Sequence, residues 1–247
     1  MDFGIAGRRA LVCGGSKGLG YACGLELAKE GCEVTLVARD AAALASAAQR
    51  LQAETGRTVQ VLAADLSRAD ERERVLRACP DTDILVTNAG GPPGGDFRQL
   101  TDDQWQAALQ TNFLSAVHLI RVLLDGMAAR GFGRVVNITS MTVRTAVRHL
   151  ELSNATRLAL TGYVAGVARQ VAPTRVTINN LLPGTIATER IRELGDTAQK
   201  LVDKVPMGRA GTPEEFGATC AFLCSRQAAF ITGQNVLVDG GLCDFTV

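Results

Sequence analysis

The chain has 247 residues, 47% of them hydrophobic and 21% charged, the proportions of an ordinary globular protein with enough chain to bury a large core. Lys+Arg 26 against Asp+Glu 25 leaves a formal net charge of +1, so no global field recruits nucleic acid or an anionic membrane. No apolar stretch of about 20 residues is free of charge, and Met1-Asp2-Phe3-Gly4 lacks a basic region followed by an apolar one, so the expectation is a cytoplasmic protein without membrane span or secretory leader.

Ala10 to Cys13 reads as a short buried strand, and Leu19 to Lys29 as a helix stopped by Gly31. Glu33 to Ala38 is a second strand, and Asp40 caps an Ala-rich helix running to about Glu54. Val59 to Ala64 is a third strand, Asp70 to Ala78 a helix, and Ile84 to Thr87 a fourth strand. The run Gly90-Gly91-Pro92-Pro93-Gly94-Gly95 fits neither helix nor central strand. Thr101-Asp102-Asp103-Gln104 is a capping-box pattern, opening a helical region with a bend that ends near Arg130. Arg134 to Thr139 is a fifth strand, Ser153 to Val171 a helix closed by Pro173, and Val176 to Leu181 a sixth strand. Thr188 to Lys204 is polar and helical in pattern, Thr212 caps a helix opening at Pro213, and Asn235 to Val238 is a last strand.

Strands that are apolar throughout, alternating with helices, imply a parallel sheet covered on both faces. No linker, repeat or composition shift divides the chain, so one doubly wound α/β domain over residues 1–247 is expected, with ligands beyond the carboxyl ends of its strands. The seven cysteines show no C-x-x-C pair and no histidine at zinc spacing; Cys220 and Cys224, on one helix face, read as core, and no metal is expected.

Gly14, Gly18 and Gly20 stand in Cys13-Gly14-Gly15-Ser16-Lys17-Gly18-Leu19-Gly20, between the first strand and the first helix. Glycines there permit a tight turn and let backbone approach a pyrophosphate facing the helix N-terminus. This loop resembles the fingerprint of the short-chain dehydrogenase/reductase family. So do Asp65-Leu66, Asn88-Ala89-Gly90, Pro183-Gly184-Thr185-Ile186 and the ending Gly233 to Gly241. The resemblance runs over essentially the whole chain in order, and its general look is that of the 3-oxoacyl-[acyl-carrier-protein] reductase-like members.

The resemblance implies a Rossmann-type sheet of seven parallel strands, an NAD(P) cofactor, and a homotetramer or homodimer built on the long helices after strands four and five. It implies cofactor contacts from Gly14, Ser16, Lys17, Gly18, Leu19 and Gly20. Asp65 and Leu66 would meet adenine, and Asn88, Ala89 and Gly90 the ribose and nicotinamide side. Pro183, Gly184, Ile186 and Thr188 would hold the carboxamide, and residues 188–207 would form a substrate lid. Strand two ends without an acid at Ala38, and Arg39 follows it with Lys17 nearby; that pair favours a 2′-phosphate and hence NADP(H) over NAD(H). Arg39 is otherwise a solvated strand-end charge beside Asp40.

The family's usual chemistry uses an Asn, a Ser and a Tyr-x-x-x-Lys pair. Asn112 and Ser140 match the first two. Of the 26 basic residues only Lys17, Lys29, Lys200 and Lys204 are lysines, the only tyrosines are Tyr21 and Tyr163, and no Tyr-x-x-x-Lys exists. Matching onward from Ser140 and back from Pro183 places Ser153 and Arg157 at the two positions, still sharing a helix face. A serine is a far weaker acid than a phenol, and arginine does not give up its proton. His149, Tyr163, His118 or a water held by Ser140, Ser153 and Arg157 are the remaining proton-transfer candidates. Three functions stay open. One is a divergent NADP(H)-dependent oxidoreductase of a small carbonyl or alcohol. A second is a non-catalytic NADP(H)-binding sensor or partner subunit. A third is a lyase, dehalogenase or epimerase on the same fold. The charges of the lid, Arg190, Arg192, Lys200 and Lys204 against Glu189, Glu193, Asp196 and Asp203, state no substrate preference.

Overall fold

The computed structural model describes residues 2–245. Short, largely apolar strands, buried throughout at the centre of the sheet and partly exposed at its edges, assemble into one seven-stranded parallel sheet of order β3-β2-β1-β4-β5-β6-β7. The strands are β1 (Arg9–Cys13), β2 (Glu33–Ala38), β3 (Gln60–Ala63), β4 (Ile84–Thr87), β5 (Gly133–Ile138), β6 (Val176–Pro183) and β7 (Asn235–Val238). The helices are α1 (Gly18–Lys29), α2 (Ala41–Thr55), α3 (Ala69–Ala78), α4 (Asp102–Leu109), α5 (Ser115–Ala129), α6 (Glu151–Val171), α7 (Glu189–Arg192), α8 (Asp196–Val202) and α9 (Pro213–Cys224). The single doubly wound domain expected from the sequence is the fold observed.

One side of the sheet buries Leu27, Leu36, Leu44, Phe216 and the Cys220–Cys224 face under α1, α2 and α9. The other buries Val75, Leu119, Ile120, Met127, Leu160 and Val164 under α3, α5 and α6. Local chemistry sets the helix starts. The Asp40 carboxylate accepts from Ala43 N at 3.0 Å, while Thr101 with Gln104 and Thr212 with Glu215 form complete capping boxes.

Two expectations gain detail. The helical region after Thr101 is interrupted by a π turn at Gln110–Leu114 that joins α4 to α5, and Asn112 within it is buried. The continuous run Asp102–Ala129 is long and apolar enough to cross a membrane, yet Leu119, Ile120, Leu123 and Met127 spend its apolar face on the sheet. The polar stretch after Thr188 is not one helix: α7 and α8 are separated at Gly195, which adopts φ 54°.

A buried polar chain ties the right half of the sheet together. Thr87, Asn137, Asn180 and Asn235 are direct cross-strand partners on β4, β5, β6 and β7. Thr87 Oγ1 donates to Asn137 Oδ1 at 2.6 Å, Asn137 Nδ2 to Asn180 Oδ1 at 3.2 Å, and Asn180 Nδ2 to Asn235 Oδ1 at 2.8 Å. Thr87, Asn137 and Asn180 are buried, and each such group is costly once orphaned. Asn137→Ala is therefore expected to destabilise the fold by roughly 2–4 kcal/mol, because it strands both Thr87 and Asn180. Urea unfolding reads this; a loss under about 0.5 kcal/mol would show the chain to be dispensable.

Candidate active site

Because the strand order reverses between β1 and β4, the loops after these strands diverge and leave a crevice at the sheet's carboxyl edge. The glycine loop fills one side of it. Gly14 has φ 59° and lies against Asn88, whose Nδ2 donates to Gly14 O at 3.4 Å. Gly20, in the first turn of α1, packs over Gly14: any Cβ there would overlap the Gly14 carbonyl and stand 2.9 Å from Asn88 Nδ2. The backbone at α1's N-terminus is thus packed as tightly as glycine allows, a cradle that fits a pyrophosphate.

The other expected cofactor residues follow along the same edge. Gly18 opens α1, and Leu19 packs partly against the core. Ser16 O accepts from Arg50 Nη2 at 3.4 Å, while the Arg50 guanidinium lies over the Tyr21 ring. Arg39, just past β2, is exposed, and its charge reaches Asp65 past β3. Burial pushes the Asp65 carboxyl up, but donation from Ser67 and the positive charges of Arg39 and Arg68 outweigh it and hold it below the usual range. Leu66 O is held by Arg72 Nη1 at 2.9 Å. Ala89 and Gly90 continue from β4, Pro183 ends β6, and Gly184 packs against Asp239 with no room for a Cβ. Ile186 bridges Gly211, and Thr188 stands at the N-cap position of α7 without a side-chain capping bond. The Lys17 ammonium pairs with Glu189 Oε2 of α7 at 3.2 Å.

Where the crevice meets β5, α6 packs on both the π turn and the Met141–Val143 turn that follows Ser140. This places Asn112, Ser140, Ser153 and Arg157 on the elements that meet there. Arg157 is buried, at 8% exposure, and among the described residues no carboxylate pairs with it. Its Nη1 donates to Ile138 O at 3.0 Å and Thr139 O at 2.8 Å, its Nη2 to Ala89 O at 3.3 Å, and its Nε to Ser153 Oγ at 3.2 Å. These carbonyls close the ends of β4 and β5, so the guanidinium is anchored by strand backbone. Burial first, and the nearby Arg190 second, push its pKa down to about 10, which leaves it charged at neutral pH.

The serines are left as donors. Ser140 Oγ accepts from Thr142 N at 3.1 Å, and Ser153 Oγ accepts from Arg157. Backbone N–H and guanidinium groups cannot accept, so each hydroxyl hydrogen points to something else. Asn112 Oδ1 and Thr139 Oγ1 are buried with no partner, further polar capacity beside the same spot.

The other proton-transfer candidates lie outside this arrangement. Tyr163 meets Phe113 edge-on with ring centroids 6.5 Å apart, and His118 pairs with Glu73 at 2.8 Å. His149 is exposed, with its backbone at φ 62° and its carbonyl accepting from Gly95 N at 3.0 Å. Several contributors carried no local signal in the sequence. The three carbonyls around Arg157 are invisible to residue type, and Arg190 stands in a charged stretch where nothing distinguishes it. Only Gly91, a glycine beside the expected site, marks a close approach.

Residues 14–243 match the family model described as enoyl-(acyl carrier protein) reductase. The chain is 32% identical over 241 residues to an acetoacetyl-CoA reductase of Allochromatium vinosum, covering 95% of this chain and 98% of that one. The chain belongs to the short-chain dehydrogenase/reductase family. Among solved structures, this short-chain dehydrogenase/reductase superposes on L-sorbose reductase of Gluconobacter frateurii complexed with NADPH and L-sorbose. The TM-score is 0.93, with 31% identity and 100% of both chains covered. It also superposes on a 3-oxoacyl (acyl-carrier-protein) reductase of Agrobacterium tumefaciens with NADP bound, at TM-score 0.90 and 35% identity over 97% of this chain and 95% of that one.

Proposed function

We propose that this protein is an NADP(H)-dependent oxidoreductase of a small carbonyl or alcohol in which a buried arginine replaces the family's proton-donating pair. The observation that carries the proposal is Arg157: a fixed cation tied to the ends of β4 and β5, with two serine hydroxyls free to donate beside it. A dinucleotide fits the glycine cradle, and Arg39 with the Ser16 region offers a 2′-phosphate a guanidinium and backbone donors at a position where strand two presents no acid. Lys17 contributes less, since Glu189 holds it.

When bound, the nicotinamide exchanges a hydride with the substrate carbon. Arg157 stabilises negative charge developing on the substrate oxygen as a fixed electrostatic group, without transferring a proton. The Ser140 and Ser153 hydroxyls orient that oxygen and pass it a proton from solvent water, each receiving one as it gives one. The pattern is economical: a single rigid cation both fixes Ser153 and supplies the charge.

The family's oligomer is also proposed here, on a narrower surface than the sequence implied. Leu119, Ile120, Leu160 and Val164 are spent on the sheet. The apolar side chains left exposed on the outer face are Leu114, Val122 and Leu158, with Phe97 alongside, and they suit a second copy of the chain.

Two outcomes are expected. Arg39→Ala should weaken NADPH binding about tenfold and leave NADH binding within about twofold, read by nicotinamide fluorescence. Equal losses for both would remove Arg39 from phosphate recognition. Arg157→Ala should lower kcat for NADPH oxidation across a carbonyl panel by about 10²-fold or more while the NADPH Kd stays within about threefold. A parent protein that binds NADPH and oxidises none of it with any carbonyl would favour the sensor function instead.

A further inference from the structure

The crevice carries a second cation that the sequence did not single out. Arg190 rises from α7 and lays its guanidinium against Gly91, in the loop after β4. A Cβ at Gly91 would collide with Nη1 and stand 2.8 Å from Nη2 and 2.9 Å from Cζ. Gly91 is therefore the floor on which Arg190 rests, and the side chain bridges the loops after β4 and β6 across the crevice mouth. The charge of Arg190 reaches Arg157.

Arg157 Nη2 holds Ala89 O and Arg190 lies against Gly91, so two guanidinium groups reach the same short loop after β4, and several carboxylates of the surrounding segments have other partners. Glu189, next to Arg190, turns to Lys17 at 3.2 Å. Asp239 accepts from Gly241 N at 3.0 Å and Cys243 N at 2.9 Å. Glu151 accepts from His149 N at 3.1 Å. Arg192, the other arginine of α7, points back to Ala187 O at 3.3 Å. Among the described residues Arg190 has no ion pair, and Arg157 has four of its five N–H groups engaged with one on Nη2 left over. Like charges brought together without a counter-charge are unfavourable. A bound anion relieves this, and the planar fork of arginine suits a carboxylate.

From this juxtaposition we infer that the substrate carries a carboxylate, bound by Arg190 from its seat on Gly91, with the reacting oxygen toward Arg157. The inference deepens the oxidoreductase proposal and rests on it for the chemistry, while the anion binding itself does not need turnover. Another anion with access to Arg190 is the cofactor's own pyrophosphate, and the experiment separates the two.

The protein loaded with NADP⁺ is titrated calorimetrically with 2-oxo, 3-oxo and 4-oxo carboxylates of graded length and with their matched amides. The same pairs are then assayed for NADPH oxidation. The expected result is at least one acid that binds about tenfold or more tighter than its amide, a preference that Arg190→Gln reduces to within about threefold. NADP⁺ affinity should stay within about twofold in that variant. Gly91→Ala, which displaces the guanidinium while keeping it in the chain, should erode the same preference. If no acid binds better than its amide, or if Arg190→Gln spares the preference, the inference is overturned. A drop in NADP⁺ affinity in place of the acid preference overturns it too, assigning Arg190 to the pyrophosphate. Acid binding lost in Arg190→Gln without turnover of any carbonyl would sustain the carboxylate site and overturn the oxidoreductase proposal instead.

Discussion

One interaction organises the site: a guanidinium buried without a carboxylate, paired only with backbone carbonyls and one hydroxyl. Burying a charge is costly, and carbonyl dipoles repay part of that cost when they are already fixed. At Arg157 they are fixed by the sheet, because Ala89 continues β4 and Ile138 closes β5. The positions of the strand ends, the crevice and the orientation of Ser153 all converge on that side chain. A lysine offers three donors from one point, whereas arginine spreads five over a plane. The planar group reaches two strands and the α6 serine at once.

The buried polar chain from Thr87 to Asn235 supports the same region from below. It locks the register of β4 through β7, and with it the relative heights of the carbonyls that receive Arg157. Stability and site geometry are therefore coupled through the right half of the sheet, while the left half and the glycine loop form the nucleotide side.

Much of the fold was legible in the chain. Apolar runs such as Ile84 to Thr87, capping residues such as Thr101 and Thr212, and the glycines between β1 and α1 each state their local structure by residue type. The site was legible to the extent that side chains carry it: Asn112, Ser140, Ser153 and Arg157 do lie on elements that pack together. What stayed hidden was carried by backbone or by tertiary proximity. The carbonyl cage has no sequence signature. The π turn around Asn112 is not marked by residue type either. In α7, Glu189 and Arg190 are adjacent charges of opposite sign that look neutral as a pair. The fold separates them, sending one to Lys17 and the other over Gly91. Leu119 and Ile120 are buried on the sheet, and their residue type alone does not tell such a position from one that faces another subunit.

The central claim is that the cation beside the reacting oxygen is permanent. Its pKa, pushed down to about 10 by burial, leaves it charged across the working range. A lysine at the same buried position starts from about 10.4 and is pushed down by the same desolvation, so it would lose its charge as the pH rises. The decisive measurement is the pH profile of kcat for the parent and for Arg157→Lys between about pH 6 and 9 with a carbonyl substrate and saturating NADPH. The predicted result is a flat parent profile and a variant whose rate falls on the alkaline side. A parent rate that falls through the same interval, or a variant profile superimposable on the parent's, would contradict the account.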